Sequence, residues 1–174
     1  MTEQPSGGSK PRIVVGVDGS ASSEQALRWA LRQAKLTSAT IEAVIAWHFP
    51  FISGGYTWPP AGVLVSSLDF RKTAERMLAD TVSRATSGDF SASVTQEVLE
   101  GDAAAVLIRE SAGADLLVVG SRGHGGLAEA LLGSVGQHCV HHAACPVVIV
   151  RSDVMAASPT ASPAAANPAQ QPVH

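Results

Sequence analysis

Three short runs constrain the fold most: RIVVGV at 12–17, DLLVVGS at 115–121 and PVVIVR at 146–151. Each is almost continuously apolar and rich in β-branched residues, as a strand must be when both of its faces are covered. A sheet made of such strands needs helices on both sides to keep its faces out of water.

Helical patterns fill the gaps between the strands. After the turn DGSAS come Ala26, Leu27, Ala30, Leu31 and Ala34, a stripe of helical period in a helix expected to begin near Ser23. Ser22 and Gln25 have the spacing of a capping box. TIEAVIAW (40–47) reads as the second strand, and SASVTQEV (91–98), which alternates, reads as a third strand nearer an edge. Leu68, Ala74, Met77, Leu78 and Val82 repeat along a helix over 67–86. A short helix over 102–112, closed by Gly113 as a C-cap, and another over 134–143 complete the series. Strands alternating with helices imply a mostly parallel sheet with right-handed crossovers. FPFISGGYTWPPAGVLVS (49–66) has no steady period and is expected to form a long loop over the carboxyl ends of the strands.

Composition narrows the function classes. The chain has 174 residues, 45% of them hydrophobic, enough for one domain with a real core. That domain is expected over 11–152, between a flexible tail at 1–10 and a disordered Ala/Pro-rich tail at 153–174. Twelve basic and 15 acidic residues give a net charge of −3 with no basic stripe, so nucleic acid is not an expected partner. The opening MTEQPSGGSKPR lacks the apolar region of a secretory signal, and no apolar run reaches membrane-spanning length. A cytoplasmic protein without membrane partners is expected. Cys139 and Cys145 do not make a disulfide framework.

In an open α/β sheet, ligands bind beyond the carboxyl ends of the strands, where the strand order reverses. Two segments end strands there: VGVDGS (15–20) and VGSRGHGGLAEALLGSVG (119–136). Asp18 closes the first strand, where a carboxylate can hold Mg²⁺ or orient a polar ligand group; an Asx-turn or cap is the alternative. The second segment is neither a Walker A motif nor a GxGxxG fingerprint after the first strand. Gly120 and Gly123 allow backbone to approach a ligand, and Gly133–Ser134 opens the next helix. There the amides of Ser134 and Val135 and the Ser134 hydroxyl can grip a phosphate, or Gly133–Ser134 can serve as an ordinary N-cap. Arg122 and His124 can touch phosphate or ribose or face solvent. Leu127 and Leu131 would anchor the connecting turn. CVHHAAC (139–145) invites a zinc reading, but a closed site wants four placed ligands, and the run fits the end of a helix better. No Ser/His/Asp arrangement is evident.

GSRGHGGLAEALLGS, from Gly120 to Ser134, has the pattern G-x2-G-x9-G-(S/T). With VGVDGS, EGDAA (100–104) and CPVVIVR, it makes the chain resemble the universal stress protein family, ATP-binding branch, over about 10–151. The resemblance implies an open, doubly wound, five-stranded parallel sheet of order 3-2-1-4-5 with helices on both faces, in a homodimer paired through strand 146–151. It implies that ATP, with Mg²⁺ near Asp18, is the cofactor. Gly16, Val17 and Trp47 would border the adenine. Val119, Gly120, Arg122 and Gly123 would line the ribose and phosphate side, and Gly133, Ser134 and Val135 would bind phosphates. Gly136 stands where a hydroxyl-bearing residue is frequent, and Trp47 where a small aliphatic residue is frequent. The implied function is regulatory ATP binding in a stress response. Catalysis beyond slow ATP hydrolysis is not expected, since no positioned general base is evident. The alternative is a dimeric interaction module that ignores nucleotide or answers to AMP or a cyclic nucleotide.

Overall fold

A computed structural model describes residues 10–48, 67–87, 93–123 and 132–151. The 49–66 segment, the 153–174 tail, almost all of the 1–10 tail, and His124, Leu127 and Leu131 lie outside the described residues. The elements run β1 (Arg12–Gly16), α1 (Ala21–Thr37), β2 (Thr40–Trp47), α2 (Ser67–Thr86), β3 (Val94–Glu100), α3 (Ala103–Glu110), β4 (Leu116–Gly120), α4 (Ser134–His142) and β5 (Val147–Val150). All the strand pairs are parallel, in the order β3-β2-β1-β4-β5. The alternating strand, β3, is indeed at an edge, and its side chains are mostly exposed.

Period two sorts each strand between two cores. Ile13 and Val15 of β1, Ile41, Ala43 and Ile45 of β2, Val118 of β4 and Val150 of β5 pack under α1 and α2. Val14, Val44, Leu117 and Val119 point the other way, onto Val106 and Leu107 of α3 and Cys139 of α4. The sheet thus has helices on both faces, and each helix buries an apolar stripe against it.

Two boundaries differ from the sequence expectation. The N-cap of α1 is Ser20, whose hydroxyl accepts from the Ser23 amide at 3.1 Å, so no Ser22–Gln25 capping box forms. Ser22 is instead buried against β4, and its Oγ accepts from the Arg122 amide at 3.4 Å. Helix α3 ends at Glu110 with Ser111 as its C-cap, ahead of Gly113. Gly113 has φ +71, a left-handed turn after the cap, which glycine adopts without strain. At its start, Asp102 caps α3 by accepting from the Ala105 amide at 3.0 Å.

Candidate functional site

The carboxyl ends of β1 and β4, next to each other where the strand order reverses, open into a cavity of about 680 Å³. Its walls come from four places. The end of β1 gives Gly16, Val17 and Asp18; β2 and the residue after it give Val44, Ala46 and His48; the end of β4 and the run after it give Val119, Gly120, Arg122 and Gly123; and the start of α4 gives Gly133, Ser134, Val135 and Gly136. Ser23 of α1, Ala103 and Leu107 of α3, and Leu132 close the rest.

Close approach between segments explains two of the glycines. A Cβ on Gly120 would stand 2.6 Å from Ser22 Oγ and 2.8 Å from the Ser22 carbonyl carbon, so β4 can reach the start of α1 only without a side chain. A Cβ on Gly136 would stand 2.7 Å from Leu132 Cδ1, within a buried contact at the beginning of α4. Gly136 is therefore a packing position, and a hydroxyl-bearing residue there would have to displace Leu132.

A hydrogen-bonded frame fixes the rim. Ser121 donates its amide to the Val150 carbonyl at 2.8 Å, and the Gly133 amide donates to the Ser121 carbonyl at 2.8 Å. These bonds tie the start of α4 to the end of β4. The N-cap of α4 is Gly133, which has no side chain to cap with, and among the described residues no side-chain cap bond is made at this helix start. Asp18 Oδ1 accepts from the Ser20 amide at 3.0 Å and from Ser20 Oγ at 2.6 Å, an Asx-turn. The other oxygen, Oδ2, faces Gly123, where a Cβ would come within 2.5 Å of it. The turn reading and the site reading of Asp18 thus use different oxygens of one carboxylate.

Ten of the eleven residues singled out from sequence line this one cavity: Gly16, Val17, Asp18, Val119, Gly120, Arg122, Gly123, Gly133, Ser134 and Val135. Trp47, the eleventh, is not among the lining residues. It packs against the α1–α2 core, on the opposite side of the sheet from the cavity-lining Ala46. The cause is period two along β2, which gives the cavity side to Val44 and Ala46 and the far side to Ile45 and Trp47. The sequence reading missed Val44, Ala46 and His48, although the same alternation, followed through TIEAVIAW to the next residue, would have found them. Leu132 lies inside the glycine-spaced segment, directly before Gly133, whereas Leu107 had no local signal.

The cysteines are not part of the site. Cys139 is fully buried between α3 and α4, and burial, with Asp102 and Cys145 nearby, pushes its thiol up to about 11. At neutral pH it is a protonated core residue, not a nucleophile. Among the described residues no three His, Cys, Asp or Glu side chains gather around a possible metal position. Among them, too, no helix is long and apolar enough to cross a membrane.

The model of the universal stress protein family matches residues 11–151. A universal stress protein of Mycolicibacterium smegmatis is 36% identical over 155 residues, covering 83% of this chain and 49% of that protein. The chain spans about half the length of the curated relatives it matches. A universal stress protein solved in complex with cAMP shares its fold at a TM-score of 0.61 and 24% identity, over 83% of this chain and 99% of that one. An Arabidopsis thaliana family member with AMP bound aligns at a TM-score of 0.53 and 23% identity, over 81% of this chain and 90% of that one. At these identities the solved structures speak for the fold alone.

Proposed function

The chain belongs to the universal stress protein family, and from that membership we propose that it is an adenine-nucleotide-binding regulatory module whose ligand is AMP or a cyclic nucleotide. One observation carries the reading: a cavity with an apolar side and an amide-rich side lies at the switch point of the sheet. Val44, Ala46 and Leu107 offer a planar base an apolar wall. Opposite them, the amino end of α4 offers Ser134 and Val135 with no side-chain cap in the way, where a phosphate is stabilised by amides and helix dipole together. Relatives of the same fold solved with cAMP and with AMP support a ligand with one phosphate.

ATP with Mg²⁺ is the second reading, favoured by the Asp18 carboxylate beside Gly123 on the phosphate side. Mg²⁺ takes oxygen ligands, and Asp18 is the carboxylate that lines the cavity. Binding, with at most slow hydrolysis, fits either ligand: Asp18 Oδ1 is already engaged by Ser20, which weakens its case as a general base. A stress-response role in the cytoplasm belongs to this proposal. So does a homodimer through β5, an edge strand whose Val147, Val148 and Ile149 are only half-buried.

The test begins with freshly purified protein, denatured so that any released nucleotide can be identified by mass spectrometry. Calorimetric titration with AMP, cAMP and ATP, with and without Mg²⁺, then ranks the ligands. AMP or cAMP binding more tightly than Mg-ATP supports the first reading, and the reverse order replaces it with the second. Gly123→Trp should remove AMP binding while sedimentation and circular dichroism stay unchanged. Unaltered affinity in that variant would sink the assigned cavity.

A further inference from the structure

The end of α4 contains a pattern the cavity does not use, His138-Cys139-Val140-His141-His142. His138 and His142 are four residues apart, so they stand one above the other on one side of the helix. Their ring centroids lie 5.8 Å apart and their planes tilt by 44°. Both side chains are exposed. With metal–nitrogen bonds of about 2.0–2.1 Å, two imidazoles on one ion hold their centroids about 5–6 Å apart. The separation seen here already lies in that range.

The neighbouring residues limit what such a site can be. Cys139 turns inward and is fully buried in the α3–α4 core, which withholds its sulfur. The His141 ring is 6.3 Å from that of His142 and tilted 56° to it, at the edge of the pair. Among the described residues no third His, Cys, Asp or Glu completes the set, so a closed tetrahedral centre is not built from them. Two ligands on one helix leave the other coordination positions to water.

We propose that His138 and His142 form an open chelate site for a divalent transition-metal ion of the zinc, nickel and copper class. Imidazole nitrogen suits these ions and not Mg²⁺, which prefers oxygen. The site sits at the carboxyl end of the helix whose amino end faces the cavity. A bridge between successive turns restrains fraying of a helix only nine residues long. The same helix supplies the Ser134 and Val135 amides at the cavity. Any effect of the metal on nucleotide affinity rests on the function proposed above; the metal site itself does not.

The experiment titrates the full chain, free of any purification tag, with Zn²⁺ by calorimetry in the absence of nucleotide. One site is expected, with Mg²⁺ unable to compete. His138→Ala and His142→Ala should each weaken Zn²⁺ about a hundredfold, because two donors on one rigid helix make the second ligation intramolecular. His141→Ala should leave the isotherm unchanged. In the unaltered protein Zn²⁺ should slow amide hydrogen exchange along Ser134–His142, and in His138→Ala it should not. No Zn²⁺ binding, or binding in the His138 and His142 variants as tight as in the unaltered protein, overturns the proposal. AMP titrated into the same preparation keeps the two readings apart: Zn²⁺ binding without AMP binding refutes the cavity assignment and leaves the metal site standing.

Discussion

The two faces of the sheet are built differently, and the difference locates the site. On one face α1 and α2, with 17 and 20 residues, cover the strands with Leu27, Leu31 and Leu78, which pack in one core with Ile41 of β2, all fully buried. On the other, α3 and α4 have 8 and 9 residues, and the cavity opens beside them. Long helices bury more apolar surface, so the first face holds the sheet in shape. Among the described residues the short helices leave the carboxyl ends of β1, β2 and β4 open to the cavity, so the second face has room for a ligand. One face supplies stability and the other supplies the opening.

The largest expected effect that would break this contrast comes from paired truncations. Leu27→Ala, in the closed face, should cost about 4 kcal/mol, and Leu107→Ala, whose side chain already borders the cavity, about 2 kcal/mol. Urea denaturation of both variants measures the pair, and equal losses would mean that the open face is packed as tightly as the closed one.

A smaller effect sharpens the boundary between the faces. Gly120→Ala forces a methyl into the backbone of Ser22 and should cost about 1–3 kcal/mol. Gly16→Ala meets the end of the Leu107 side chain at 2.8 Å, a flexible neighbour on the cavity side, and should cost less. The midpoints of thermal unfolding compare the two; a larger loss at Gly16 would contradict the contrast between rigid and yielding neighbours.

The smallest effect concerns the closed face alone. Glu24 joins α1 to α2 by accepting from Arg84 at 2.8 Å and from Arg28 at 3.0 Å, while Arg28 also donates to the Arg84 carbonyl. The Arg84 hydrogen bond is the main cause holding the Glu24 carboxyl below its ordinary 4.5; partial burial opposes it and Arg28 assists. A carboxylate with a lowered pKa in the folded state adds stability above its unfolded-state value and loses it as pH falls through the folded one. Because Arg84 is half exposed, the contribution is about 0–1 kcal/mol. Between neutral pH and acid conditions below 4.5, Glu24→Gln should therefore flatten the pH dependence of unfolding slightly. An unchanged slope would show that the clamp contributes nothing measurable.

Much of the fold was legible because strand and helix periods are local. RIVVGV, DLLVVGS and PVVIVR carry their burial on their surface, and each became a strand within a residue or two of the expected bounds. The site was legible as far as glycine spacing and strand ends could mark it. Ser22 was misread because its partner, the Arg122 amide, is a hundred residues away, and Ser20 takes the cap instead. Leu107 was invisible for a similar reason, since it enters the cavity from a helix with no ligand-binding pattern of its own.

The sequence by itself determined the order of elements, a parallel sheet covered on both sides, and a helix start at Gly133–Ser134. These follow from residue periodicity and from what glycine lacks. Tertiary structure decided which face each side chain serves. It set Leu107 against the cavity and made Gly120 a packing contact with Ser22. Those outcomes depend on distances between segments far apart in the chain, and no local pattern encodes such distances.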